Sequence, residues 1–497
     1  MRISYLFLLT TILSSALFTQ VNAQKKSHVK PNIVFICTDD QAYWTVGYAG
    51  NRQAHTPNID RLAGEGAFFR NAFVSTPVCS PSRAGLMTGR YASECGIPDF
   101  IPQPGHKLYD AGNPVGLDTA AVTFPELLQN AGYITGLIGK WHLGDWTETS
   151  DKRFHPTQNG FHHFMGITGG GVSPVDPVLE KNGVVQQFKG LTDDILTEEA
   201  LSFIDSARNA PFLLCLHYRS PHTAWLPVAD EDWAPYAGLD PEIPNPGYPD
   251  LDTAKVKRRM KEYLASTSGV DRNVGQIMKK LSETGISGHT IVIFTSDNGY
   301  NMGHNGIEHK GNGIWITKQK HPATENIAEN SRPNLYDHSL KVPAIVRWPG
   351  MVKPGMVIDE LITNLDWYPT LVEIAGGSLP AGQPVRGRSI MPLLTGAKAV
   401  KWNNEFYGEY SMIHYSKAFM RCYRTPEWKL IKDFLDSSRD ELYHLRDDPE
   451  EHHNLIGSDA PEAARMVRVL TRQMKKKMSA IRDPLLYGKV FQSSQKP

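Results

Sequence analysis

Asn32-Ile33-Val34-Phe35-Ile36-Cys37, running on into Thr38-Asp39-Asp40, is the stretch on which the fold turns. A nearly unbroken apolar run of this length describes a strand covered on both faces, the usual lot of a parallel strand. Similar runs recur at Tyr133 to Ile138, Phe212 to His217 and Thr290 to Thr295. Helical signals fall between them. Thr56-Pro57-Asn58 opens a helix through Leu62, another starts near Phe124-Pro125, and Val270, Val274, Ile277 and Leu281 repeat at helical spacing. Strands alternating with helices predict right-handed crossovers and a largely parallel α/β sheet flanked by helices. After the Gly/Pro-rich stretch Gly376 to Gly387 the pattern changes. Short strands at Arg421 to Arg424, Trp428 to Ile431 and Glu441 to Tyr443, then a helix from Pro461 to about Met478, predict a smaller α+β unit. The expected division is a large domain over residues 24–385 and a C-terminal subdomain over residues 386–497.

Polar residues follow each apolar run: Asp39 and Asp40 the first, Lys140 and His142 the second, His222 the third, Asp297 and Asn298 the fourth. Open α/β sheets bind ligands outside the carboxyl ends of their strands, so four strand ends present charged groups to one crevice. Asp39, Asp40, Asp297 and Asn298 form an all-oxygen set suited to a hard cation, Ca²⁺ or Mg²⁺, rather than zinc. Asp-Asp and Asp-Asn-Gly also make good turns, and it is their joint position after buried strands that favours a metal.

Cys79-Ser80-Pro81-Ser82-Arg83 leads to Leu86-x-Thr88-Gly89-Arg90. Ser80 can cap a helix, Pro81 suits its first turn and Gly89 its end. Cys79 then sits at a helix N-terminus, where N–H groups favour an anion. Arg83, one turn on, can fork onto oxyanion oxygens.

Cys-x-Pro-x-Arg followed by Leu-x-Thr-Gly-Arg resembles the signature of formylglycine-dependent (type I) sulfatases of the alkaline phosphatase superfamily. The flanks agree: Pro31 to Asp40, Thr56 to Ala63, Gly139 to Gly144, Thr295 to Gly299 and Val342 to Gly350. The resemblance implies an alkaline-phosphatase-like fold and hydrolysis of sulfate esters. It implies that an activating (maturase) enzyme oxidises Cys79 to formylglycine (3-oxoalanine), and that one Ca²⁺ is held by Asp39, Asp40, Asp297, Asn298 and the modified Cys79. One hydroxyl of the hydrated aldehyde would attack sulfur and the other would later expel sulfate. Arg83 would hold the hydrate, and Lys140 and Lys310 would neutralise the sulfuryl oxygens. His142 would take the proton that regenerates the aldehyde, and His222 would protonate the leaving oxygen. Lys318 and Lys320 stand as alternatives to Lys310. His217, inside an apolar run, reads as a core histidine.

The local wording, especially Gly303 to Gly313 and Asn364 to Trp367, resembles bacterial exported sulfatases acting on algal polysaccharides. The segments Pro98 to Gly116 and Gly303 to Arg332 adjoin catalytic motifs and carry His106, Tyr109, His304, His309 and Trp315, groups able to contact sugars. The expected substrate is therefore a sulfated carbohydrate. The same superfamily includes phosphate and phosphonate ester hydrolases, and a homologue that binds sulfated glycans without turnover is the other rival.

The chain has 497 residues, with 52 Lys plus Arg against 52 Asp plus Glu. That balance gives no basis for a nucleic-acid or membrane-surface partner. The basic stretches Lys255 to Lys261 and Lys475 to Lys477 read as solvated helix faces. Arg2, the apolar run Leu6 to Phe18 and Val21-Asn22-Ala23 read as a signal peptide over residues 1–23, implying a periplasmic or secreted protein without a membrane anchor. Five cysteines cannot pair completely. Cys37 and Cys215 read as buried thiols, while Cys79 and Cys95 could bridge on spacing alone.

Overall fold

The computed structural model describes residues 30–488 except 111–114, 145–151, 168, 245–247 and 398–400. The signal peptide expected over residues 1–23 lies outside the described residues.

A ten-stranded mixed sheet forms the centre. Its five middle strands are parallel, in the order Thr290–Ser296, Asn32–Thr38, Phe212–His217, Ile134–Lys140 and His163–Ile167. The Asn32–Thr38 strand is paired on both edges and buried along its whole length, as its unbroken apolar run requires. Antiparallel strands flank this middle on both sides, and at one edge Met356–Ile358 again pairs parallel with Ala67–Phe69. Ala344–Arg347 runs antiparallel to Thr290–Ser296, and Val178–Lys181 runs antiparallel to His163–Ile167. The second strand begins at Ile134 rather than Tyr133 and continues to Lys140, beyond the apolar run. Gly139 makes that continuation possible: at φ 109°, a Cβ there would lie 1.8 Å from the carbonyl oxygen of His217.

Helices cover both faces. Val270, Val274, Ile277 and Leu281 pack from the helix Thr253–Glu283 into one core, against Val34, Ile36 and Leu214. The opposite face packs against Phe124, Trp367 and the helix Cys79–Thr88, all of whose residues are buried.

The smaller sheet is antiparallel, in the order Phe406–Met412, Ala418–Arg424, Trp428–Asp433 and Glu441–His444, with the helix Pro461–Ala480 packed on it. Phe406–Met412 was not anticipated, because Gly408 and the polar Glu409 and Ser411 interrupt its apolar pattern. Its Phe406, Tyr410 and Met412 belong to the same hydrophobic cluster as Ile33 and Phe35 of the central sheet, so the two sheets share a core. None of the five cysteines is bridged; Cys95 instead lies 3.4 Å from the Thr88 hydroxyl.

Candidate active site

The strand ends converge as expected. Asp39 and Asp40 follow the first strand and Asp297 and Asn298 follow Thr290–Ser296, which lies beside it in register. Asp39, Asp40 and Asp297 place carboxylate oxygens within 4.8 Å of one another, all buried. Carboxylates this close in a buried crevice repel unless cations lie between them.

Three side chains supply positive charge. Arg83 Nε donates to Asp297 Oδ2 at 2.8 Å and Nη1 donates to the Lys140 carbonyl at 3.0 Å. Lys140 Nζ donates to Asp39 Oδ2 at 2.5 Å. Lys310 Nζ donates to Asp40 Oδ1 and, at 2.8 Å, to Cys79 Sγ. Burial works against ionisation of Asp39, yet Lys140, His222, Lys310 and Arg83 together hold its carboxyl well below the usual range. Asp297 goes the other way: burial raises it to about 6, against the pull of Arg83.

Cys79 is the first residue of its helix, Cys79–Thr88, with Val78 at the N-cap position and no side chain capping the first turn. Ser80 is thus not the cap the sequence suggested. Its hydroxyl accepts instead from Ile101 N at 3.0 Å, tying the Pro98–Gly116 segment to the helix start. With no capping side chain, the helix N-terminus keeps its attraction for an anion. The Cys79 thiol donates to Asp39 Oδ1 at 3.4 Å, and burial pushes its pKa up to about 12, with Asp39 adding to the effect.

Of the three candidate lysines, Lys310 is the one that lies beside Cys79. Lys310 occupies the turn between the strands Ile307–His309 and Asn312–Trp315. Gly311 N donates to the Pro77 carbonyl at 3.0 Å, pinning that turn beside Cys79. Lys318 and Lys320 are exposed and line none of this site.

His142 Nε2 donates to the Ile101 carbonyl at 2.9 Å, which leaves Nδ1 buried, bare and an acceptor. Burial, then the neighbouring Lys140, lowers its pKa well below the usual histidine value. His222 Nδ1 donates to the Thr223 carbonyl at 2.7 Å, which leaves Nε2 free, 3.9 Å from Asp40 Oδ2. His217 is buried as expected, but it is not inert core. Its Nδ1 lies 3.3 Å from Arg83 Nη1 and 3.0 Å from the Lys140 carbonyl oxygen, so it braces the Arg83 guanidinium from behind.

A cavity of about 310 Å³ opens over Cys79, His142, His222 and Lys310. Lys140 does not reach it; its ammonium is spent on Asp39. His106 lines it, as the loop reading anticipated. His304 does not, and this corrects its assignment to the substrate. It is buried, with its ring 3.9 Å from that of His338 and 5.1 Å from Trp44. Trp315 stacks on His321 at 3.7 Å and His309 packs on Tyr300, both away from the cavity lining. In their place the wall holds Phe100 and Tyr415, stacked with ring centroids 5.3 Å apart, and the amides Gln103 and Asn312. Tyr415 comes from the turn joining two strands of the smaller sheet. No local pattern marks it, since it joins the cavity only through packing of distant segments.

A hard cation fits this donor set. The three carboxylates are matched by Arg83, Lys140 and Lys310, so an entering sulfate-like monoanion would leave net negative charge in a buried crevice. A divalent cation reverses that sign. Asn298 Oδ1, buried without a hydrogen-bond partner, is an oxygen ready to ligate it.

The sulfatase family profile matches residues 31–377. The chain belongs to the sulfatase family. A second profile, the C-terminal region of N-sulphoglucosamine sulphohydrolase, matches residues 331–483. Among curated relatives, this sulfatase is 26% identical to an N-acetylglucosamine-6-O-sulfatase of Bacteroides thetaiotaomicron, over 90% of this chain and 87% of the other. It is 29% identical to the steryl-sulfatase of Homo sapiens, over 83% and 78%. Among solved structures, that of BT4656 in complex with its substrate D-glucosamine-2-N,6-O-disulfate superposes with a TM-score of 0.75 at 24% identity, covering 91% of this chain and 98% of the other. Ps i-CgsB in complex with k-i-k-neocarrahexaose gives 0.69 at 27%, covering 90% and 93%. The fold is thus the alkaline-phosphatase-like one expected, and the enzyme is a sulfuric ester hydrolase. Among the described residues, no helix of this sulfatase is long and apolar enough to cross a membrane.

Proposed function

We propose that this sulfatase removes sulfate from a terminal sugar of a sulfated oligosaccharide of the algal or glycosaminoglycan type, with a formylglycine made from Cys79 and one Ca²⁺. The observation that carries the reading is the 2.8 Å contact between Lys310 Nζ and Cys79 Sγ at the floor of a small cavity walled by Phe100 and Tyr415.

Asp39, Asp40, Asp297, Asn298 and the modified Cys79 would hold the ion. Hydrated formylglycine beside calcium supplies a nucleophilic hydroxyl for attack on sulfur. The remaining roles belong to side chains already placed. Arg83 fixes Asp297 and, with the two lysines, offsets the repulsion within the carboxylate cluster. Lys310 faces the cavity and meets the charge of the transferring sulfuryl group. Lys140 acts through Asp39, as a positioning group. His222, once protonated at Nε2 as well as Nδ1, donates that proton to the leaving sugar oxygen; burial works against the charged ring and Asp39 and Asp40 favour it. His142, with Nδ1 bare, accepts the proton released when sulfate departs.

The wall also bears on the substrate. An aromatic face suits a pyranose ring, and Gln103, Asn312 and His106 suit its hydroxyls. Among the described lining residues Lys310 is the one Lys or Arg. The cavity therefore matches a ring carrying a single sulfate, and its volume sits at the small end for ligand pockets, which suits one terminal sugar. The ligands named for the two solved structures are carbohydrates too, one of them a disulfated glucosamine, and export through the residues 1–23 leader would bring the enzyme to such polymers. Activation requires a formylglycine-generating maturase in the producing cell.

The deciding experiment is a screen of defined sulfated oligosaccharides alongside aryl and steroid sulfates and aryl phosphates, using protein whose Cys79 peptide has been analysed by mass spectrometry. Sulfate release from a terminal monosulfated sugar, with formylglycine at position 79 and weak phosphatase activity, is the expected result. Tyr415→Ala should raise KM for the sugar at least about tenfold and spare aryl sulfates. Full activity with an unmodified thiol, or turnover confined to steroid and aryl sulfates, overturns the reading.

A further inference from the structure

Lys475-Lys476-Lys477 read from sequence as a solvated helix face, but the structure turns two of these lysines toward a second cavity. This cavity, of about 390 Å³, lies where the helix Pro461–Ala480 and the smaller sheet meet the Gly/Pro-rich connector. Arg386 and Arg388 enter it from the connector and Lys476 and Lys477 from the helix, with Tyr91 and Phe406 among its aromatic lining.

The charges in it are unevenly matched. Arg386 is paired with Glu94, its Nε donating at 2.9 Å. Two carboxylates also line the cavity, hydrogen-bonded by neutral groups of the same wall. Asp366 accepts from Arg388 N at 2.6 Å and Thr363 N at 2.7 Å, and Glu405 accepts from the Tyr423 hydroxyl at 2.6 Å. Among the described residues, Arg388, Lys476 and Lys477 have no carboxylate oxygen within 4.0 Å. Arg388 donates to the Asn403 carbonyl at 3.1 Å and its guanidinium lies over Trp402 at 4.0 Å. The Lys477 ammonium lies over Tyr91 at 5.0 Å and is half-buried. Burial, and then the nearby Arg386, lowers its pKa. Asp366 and Glu94 still act on Lys477 through space, but four lining cations face two lining carboxylates. Three cations with no carboxylate in direct contact, beside aromatic side chains, form a receptor for an anionic ring-bearing ligand.

The position is separate from catalysis. Tyr91 follows the carboxyl end of the helix Cys79–Thr88, whose amino end holds Cys79. Ten helical residues put about 15 Å between those ends, and the two cavities share no lining residue.

We propose that this cavity is a second carbohydrate site, which takes a sulfate group carried on a glycan chain. The proposal rests on the glycan reading of the catalytic cavity for its ligand class. Holding the polymer at a second point raises the local concentration of chain ends at the active site.

The test uses the full-length, calcium-loaded chain with Cys79→Ala to prevent turnover. Acetylation of Lys477, read by peptide mass spectrometry against the exposed Lys475, is followed with dextran sulfate, unsulfated dextran and inorganic sulfate. Dextran sulfate should slow acetylation of Lys477 about fivefold more than that of Lys475, a pair of charge-assisted contacts being the source, and unsulfated dextran should not. In active enzyme, Arg388→Gln with Lys477→Gln should raise KM for a sulfated polymer about tenfold, leaving kcat and aryl-sulfate kinetics unchanged. No selective shielding of Lys477 overturns the proposal whether or not the variant folds. Equal shielding by inorganic sulfate at matched sulfate-group concentration also overturns it, assigning the cavity to free sulfate. Failure of the catalytic reading shows separately, as absence of sulfate release from any oligosaccharide while Lys477 is still shielded.

Discussion

Arg83 meets a single oxygen of Asp297 twice, its Nε and its Nη2 each 2.8 Å from Oδ2, with both side chains about 1% exposed. The other oxygen, Oδ1, accepts the Asp40 backbone N–H at 3.2 Å. Arg83 thus fixes which edge of Asp297 is offered to a cation. Breaking a buried pair of this kind strands a charge, at a cost of about 3–5 kcal/mol. Arg83→Ala should therefore lower the thermal midpoint sharply and abolish detectable turnover. Arg83→Lys keeps the charge but not the fork; it should fold, by circular dichroism, and lose at least about a hundredfold in kcat.

Chelation tests the oxygen cage. Prolonged treatment with a calcium chelator should remove activity and Ca²⁺ should restore it, while Asp40→Ala should bind no stoichiometric calcium by elemental analysis. Zinc bound tightly in fully active enzyme would contradict the all-oxygen donor set.

His222 is assigned to the leaving group because it lines the cavity over Cys79 and its Nε2, unused by Thr223, can carry the proton when the ring is charged. A sugar alkoxide needs a proton and a nitrophenolate hardly does. His222→Ala should cut kcat on sugar sulfates about 10²- to 10⁴-fold and change nitrophenyl sulfate turnover far less. Equal losses on both substrates would remove the assignment.

Asp271 supplies a pH test remote from the site. Its Oδ1 accepts from Asn58 N at 2.9 Å and Ile59 N at 2.7 Å, capping the helix Pro57–Gly64 from another segment. Burial raises its pKa from 3.8 to about 6, against the effect of those hydrogen bonds. The folded state then binds this proton more tightly than the unfolded chain, so the contribution is full below the unfolded value and is lost as pH rises to about 6. Asp271→Asn should flatten the dependence of the thermal midpoint between about pH 4 and 6 relative to the unsubstituted chain. Parallel curves would refute the shift.

Much of this was legible without coordinates. The four parallel strands announced themselves because a strand buried on both faces has a local, contiguous signature, as in Asn32 to Cys37. The residues just past those strands had to share a crevice once the strands were parallel, and Asp39, Asp40, His142, Asp297 and Asn298 do. Ser80 misled because the residue types that cap helices also accept from distant backbone, here Ile101 N. Phe406–Met412 escaped because a strand inside a shared core need not alternate cleanly.

The sequence by itself determined the parallel core, the helix that begins at Cys79 and the oxygen-rich strand ends, because each depends on neighbours a few positions away. Only the tertiary structure placed Lys310, and not Lys318 or Lys320, beside Cys79, left His304 and Trp315 off the wall of the cavity over it, and brought Tyr415 into that wall. It also gathered Arg388 and Lys477 around the second cavity. Those outcomes depend on contacts between segments tens to hundreds of residues apart, such as Gly311 against Pro77 and Tyr415 against Phe100. Packing of whole elements sets such contacts, and they leave no periodicity in the chain.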